Sequence, residues 1–106
     1  MLLLNAVSVN MVPVQGATLR IRPINLDEAK EIVSIGFTSA IGHADTANVV
    51  GGMLGVPIPA NRVSVQLGFG DEALVAQYLG PRLPEGATSL PEGATIRFFH
   101  LMVGEL

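Results

Sequence analysis

Hydrophobic and polar positions along the chain predict five strands and two helices. Residues 2–9 form an apolar run rich in strand formers. Residues 17–22 alternate, with Leu19 and Ile21 on one face and Thr18, Arg20 and Arg22 on the other, after a turn over Pro13 to Gly16. Asn25-Leu26-Asp27-Glu28 has the form of a helix start, with Asn25 as cap and Glu28 at the third position. Apolar Leu26, Ala29, Ile32 and Val33 share a face, so the first helix runs from about 26 to 35 and stops near Gly36. A second helix begins within Gly42 to Thr46 and ends at Gly55, weakened by Gly51 and Gly52. Residues 62–67 alternate cleanly and, with 73–79, predict a hairpin turning at Gly70-Asp71. A loop rich in proline and glycine follows from Gly80 to Gly93, and residues 95–103 supply the last strand. The expected architecture is a single α/β domain over 1–106, a mixed sheet of about five strands with flanking helices in the order β-β-α-α-β-β-β.

Composition sharpens this reading. Only 14% of the 106 residues are charged, 49% are hydrophobic and 12 are glycine, so disorder is excluded. A domain this small leaves much of its surface exposed, and the apolar excess predicts a self-associating face, most simply a twofold homodimer. A net charge of −3 with six Lys and Arg argues against a general DNA or RNA binder. The absence of cysteine excludes disulfides and thiolate metal sites. Residues 1–14 lack a basic region and are broken by Asn5, Asn10 and Pro13, so they do not read as a secretory signal. The charge-free stretch 46–61 is too short and too broken by glycine and proline to span a bilayer, so no membrane association is expected.

Three segments carry candidate chemistry. Ile41-Gly42-His43-Ala44-Asp45-Thr46 places a histidine among small residues at a helix start, where free backbone N–H groups favour an anion and an imidazole can serve as an acid. From spacing alone, a helix-start histidine bonded to backbone is the plainer reading. Gly80-Pro81-Arg82-Leu83-Pro84-Glu85-Gly86 presents a cation and an anion three residues apart. Arginine there suits a phosphate, and an exposed salt bridge on a turn is the alternative. Asn5 to Met11 places Ser8 and Asn10 at equal parity near a strand end, as ligand contacts or as turn chemistry. A metal site would have to use His43, Asp45 and the distant His100, too few ligands to favour. The motif Leu83-Pro-Glu85-Gly-Ala-Thr88 recurs as Leu90-Pro-Glu92-Gly-Ala-Thr95, a pair of turns that leaves open which glutamate faces a ligand.

Taken together, Asn5-Ala-Val-Ser8-Val-Asn10-Met11, Ser39-Ala-Ile-Gly42-His43-Ala-Asp-Thr46, Asn61-Arg62-Val63 and Arg82-Leu-Pro-Glu85-Gly86 give the chain a family likeness. It resembles the small ring nucleases, found as type III anti-CRISPR proteins in viruses and plasmids and as bacterial domains, that degrade the second messenger cyclic tetra-adenylate. The resemblance implies a cytoplasmic homodimer (host cytoplasm for a viral member) that binds the messenger across its twofold axis. Cleavage without metal or other cofactor would give di-adenylate with a 2′,3′-cyclic phosphate. The active-site positions fall on His43, Arg82 and Glu85. Substrate-binding positions fall on Asn5, Ser8, Asn10, Met11, Gly42, Thr46 and Gln77. The second Leu-Pro-Glu-Gly turn stands where viral members usually have a short helix. Two other classes remain beside the enzyme: a module that binds or sequesters the messenger without cutting it, and a structural protein of a mobile element.

Overall fold

The computed structural model describes all residues, Met1–Leu106. Its elements are β1 (Leu2–Leu4), a 3-10 turn (Val9–Met11), β2 (Thr18–Ile24), α1 (Leu26–Ile35), β3 (Thr38–Ser39), α2 (Ala44–Leu54), β4 (Glu72–Leu79) and β5 (Thr95–Gly104). They build one mixed five-stranded sheet in the order β2-β5-β4-β1-β3. β1 runs parallel to both β3 and β4, and β5 runs antiparallel to β4 and β2. The α/β class, the mixed five-stranded sheet and the two helices are as the sequence predicts.

Two expected elements differ. The strand expected over 2–9 ends at Leu4, because the Ser8 hydroxyl accepts from the Asn10 N–H and starts the 3-10 turn. Residues 62–67 carry no regular secondary structure, and β3 takes the fifth place instead. The observed order is therefore β-β-α-β-α-β-β. The physical reason is that β4 already has β5 on one side and β1 on the other, so no hydrogen-bonding edge is left for 62–67. This segment lies on a face of the sheet, fastened by the Leu67 N–H to the Met11 carbonyl at 2.8 Å and by Gln66 Nε2 to the Asn10 carbonyl at 3.1 Å. Its alternation is real, since Val65 and Leu67 pack inward, but it serves packing rather than pairing.

Alternation along the strands divides the interior into two layers. Leu3, Leu74, Ala76 and Phe98 point toward the helices and pack with Ala29, Val33, Ala47, Val50 and Leu54. Leu4, Ala73, Val75, Leu101 and Val103 point the other way, where the irregular segments carrying Val7, Met11, Val65 and Leu67 cover them. Helix α1 starts as its sequence requires: Asn25 Oδ1 accepts from the Glu28 N–H at 2.8 Å, and Glu28 pairs with Arg22 at 3.3 Å. The outer strand β2 carries Arg20, Arg22 and Pro23, residues that discourage further strand addition.

Gly51 of α2 is a packing residue rather than a weakness. The chain leaving the helix folds back on it, so a Cβ there would stand 2.8 Å from the Val56 carbonyl oxygen. Helix propensity alone favours alanine over glycine by about 1 kcal/mol. The close approach reverses the sign, and Gly51→Ala is expected to cost about 1–3 kcal/mol as overpacking. Urea unfolding reads this as a lowered midpoint, and a raised one would refute it.

Candidate functional site

The three parallel strands β1, β3 and β4 all end at the same edge of the sheet. In α/β sheets, ligands commonly bind just outside the carboxyl ends of the strands. Here β1 leads into Asn5, β3 leads through Ile41 and Gly42 to His43, and β4 leads through Gly80 to Arg82 and Glu85. Topology therefore brings the start of all three chemistry-bearing segments to one edge.

A cavity of about 650 Å³ opens there, lined by His43, Asp45, Thr46, Tyr78, Gly80, Arg82, Leu83 and Glu85. The three residues expected to act, His43, Arg82 and Glu85, thus share one cavity within a single chain. His43 is the N-cap of α2, but its side chain makes no capping bond, and the exposed imidazole lines the cavity. The first helical hydrogen bond runs from the Ala47 N–H to the His43 carbonyl at 3.0 Å, so the N–H groups of the preceding turn are available to an anion. Arg82 and Glu85 form no ion pair with each other or with any other residue. The salt-bridge alternative for this turn is therefore not what the fold adopts.

Local sequence explains how the parts are held. The carboxyl end of β3 is tied by Asn61, which donates its side-chain amide to the Ser39 carbonyl at 2.7 Å and its backbone N–H to the Ile41 carbonyl at 2.8 Å. Gly42 allows Arg62 to lie close, since a Cβ there would come within 3.3 Å of Arg62 Cγ. Gly80 has φ +154°, and a Cβ there would be 2.7 Å from the Ala94 Cβ, so the strand end and the return of the loop pass each other only because residue 80 is glycine. The Tyr78 hydroxyl donates to the Pro81 carbonyl at the loop's base.

Both copies of the repeated motif form the same turn. Ala87 N–H bonds the Pro84 carbonyl and Ala94 N–H bonds the Pro91 carbonyl, each at 3.1 Å, with Gly86 and Gly93 at φ +79° and +82°. Only the first copy reaches the cavity. Its Gly86 N–H donates to Asp45 Oδ1 at 2.9 Å, and Glu85 lines the site where Glu92 does not.

The remaining expected binding positions are distributed unevenly. Thr46 lines the cavity, and Gly42 directly precedes His43. Asn5 follows the end of β1 at the same sheet edge, outside the cavity lining. Ser8, Asn10 and Met11 belong to the 3-10 turn, and Met11 packs against the loop-covered layer. Gln77 lies at the parity of Val75 on β4, opposite to Tyr78, and bonds the Tyr78 carbonyl at 3.3 Å. Tyr78 itself is the lining residue that sequence reasoning passed over. Its signal was its parity with Leu74 and Ala76 at the carboxyl end of a strand.

This is a small mixed-sheet α/β domain with a polar, histidine- and arginine-bearing cavity at its strand ends. The chain belongs to the STIV B116-like family, whose profile matches residues 1–98. It is similar to B116 of Sulfolobus turreted icosahedral virus, a solved structure that superimposes with a TM-score of 0.81 at 29% identity over 95% of this chain and 97% of that one. It is 42% identical over 73 residues to ORF117 of Acidianus two-tailed virus, covering 66% of this chain and 62% of that protein. It is 33% identical over 85 residues to protein 26 of Sulfolobus islandicus filamentous virus, covering 79% of this chain and 71% of that protein. The relatives are virus proteins, and no helix of the chain is long and apolar enough to cross a membrane.

Proposed function

We propose that the protein is a ring nuclease that binds cyclic tetra-adenylate and cleaves it to di-adenylate with 2′,3′-cyclic phosphate ends, switching off type III CRISPR signalling in the host cytoplasm. The observation that carries this reading is the convergence of unpaired His43, Arg82 and Glu85 on one cavity beside a helix N-terminus. In the proposed reaction a ribose 2′-oxygen bonds the adjacent phosphorus while the bond from phosphorus to the 5′-oxygen breaks. Protonated His43 gives its proton to the departing 5′-oxygen, and Arg82 balances charge on the phosphoryl oxygens. With no ion pair to Arg82, Glu85 is free to orient the attacking 2′-OH and take its proton. The nucleophile comes from the substrate and the acid from histidine, so the reaction requires no metal or other cofactor.

A twofold dimer would present two such sites to a ring whose repeat contains that symmetry. The deciding experiment is incubation with cyclic tetra-adenylate in excess EDTA, products read by mass and the protein's size by sedimentation. Binding without product would make the protein a sequestering module, and no binding would leave a structural role.

The two turns give a sharper check. Glu85→Gln is expected to slow single-turnover cleavage by at least about 10²-fold, the lower range for a group moving a proton. Glu92→Gln, in an identical turn outside the cavity, is expected to leave the rate within about twofold. Equal effects would remove Glu85 from the reaction.

A further inference from the structure

We infer that Asp45 is a positioning residue that clasps the loop bearing Arg82 and Glu85 onto the helix bearing His43, an inference that deepens the ring-nuclease reading and rests on it for its catalytic consequence. Residues 80–94 connect β4 to β5 without regular structure, and their internal hydrogen bonds close only the two tight turns. Two further bonds fasten them to the rest of the molecule. One, from the Tyr78 hydroxyl to the Pro81 carbonyl, lies at the very base and spans three residues. The other, from the Gly86 N–H to Asp45 Oδ1 at 2.9 Å, spans 41 residues and acts beyond both Arg82 and Glu85. It is therefore the one hydrogen bond that fixes the far end of the functional loop.

Asp45 suits this role by its place. It stands in the first turn of α2, two residues after His43, so the loop is registered to the same turn that carries the imidazole. It is half-buried and enters no salt bridge, so its carboxylate is not committed to a cation. Gly86, at φ +79°, turns its N–H toward the helix in a conformation that other residues adopt only with strain. Without the clasp, Arg82 and Glu85 would keep their chemistry and lose their distance to His43. Misplacement of about 1 Å can cost on the order of 10²-fold in rate.

The test uses the full-length chain with Asp45→Ala, which removes the acceptor, and Asp45→Asn, which keeps an acceptor oxygen. The first readout needs no substrate. Exchange of the Gly86 amide with solvent, followed by NMR, is expected to accelerate about tenfold or more in Asp45→Ala and to return toward the wild-type rate in Asp45→Asn. Emission from Tyr78, the single tyrosine in a chain without tryptophan, reports the base of the loop in the same samples. With cyclic tetra-adenylate, kcat of Asp45→Ala is expected to fall between about 10-fold and 10²-fold with KM little changed, and Asp45→Asn to recover most of the loss. Wild-type exchange of Gly86 in Asp45→Ala, or a rise in KM alone, would overturn the clasp. An inactive wild type whose Gly86 amide still depends on Asp45 would support the clasp and overturn only the nuclease reading.

Discussion

On the proposed reaction, His43→Ala lowers the single-turnover rate of cyclic tetra-adenylate cleavage by about 10²–10⁴-fold, the usual cost of losing a general acid. Binding survives, because the imidazole makes no capping bond and holds no part of the fold in place. The loss therefore falls on the chemical step, and the dissociation constant measured with the uncleaved ring stays near that of wild type. The amide groups at the start of α2 and the Arg82 guanidinium remain to hold phosphate. His43→Gln is a useful companion, since it keeps a polar side chain of similar reach but has no proton to give, and it is expected to be as slow as alanine. Unchanged single-turnover cleavage by either variant would remove His43 from the reaction.

The second large effect is on the fold. Leu74 is completely buried at the middle of the sheet, between β1 and β5, with its side chain in the layer that faces both helices. Cutting it to alanine leaves a cavity that rigid strands on either side cannot close, and the expected cost is about 2–5 kcal/mol. For a domain whose whole stability is on the order of 5–15 kcal/mol, that is a large fraction. Each kcal/mol lowers the melting temperature of a domain near this size by roughly 4–8 °C. Leu79→Ala, on the same strand but half exposed at its end, is the matched control and should cost less than about 1 kcal/mol. Chemical denaturation with an unchanged m-value checks both, and equal midpoints for the two variants would contradict the placement of the core.

What the sequence made legible follows from which features are local. The cap at Asn25, the stop at Gly36 and the turn at Gly55 are decided by residues within a few positions of one another, and both helices appear where their signals lie. Strand partnership is a different matter. Residues 62–67 alternate as well as any strand in the chain, yet the β4 edge they needed is occupied by β1, a segment some 60 residues away. Conversely, β3 is two residues long and owes its place to pairing with β1, where the Met1 and Leu3 carbonyls accept from the Thr38 and Ala40 N–H groups, each at 2.9 Å.

The candidate site divides in the same way. Motifs and family likeness point to His43, Arg82 and Glu85, but their meeting at one cavity depends on the strand order. Spacing could not choose between Glu85 and Glu92, because the two copies have the same sequence and the same turn. The Gly86 to Asp45 bond distinguishes them, and nothing in either motif announces it. Tyr78 was hidden for a simpler reason, since an aromatic residue in a strand is ordinary core material until the strand's exposed end is located.

The strand order also bears on how the molecule is made. The only partner of β2 is β5, and β4 must lie between β5 and β1, so the sheet cannot close around its amino-terminal strands until residues 95–104 are available. Before then, a growing chain can pair β1 only with the two residues of β3 and with β4, and Leu19, Ile21 and Ile24 have no ladder to join. Folding is expected to wait for nearly the whole length and to proceed in one cooperative step dominated by distant contacts, which is slow relative to helical domains of similar size.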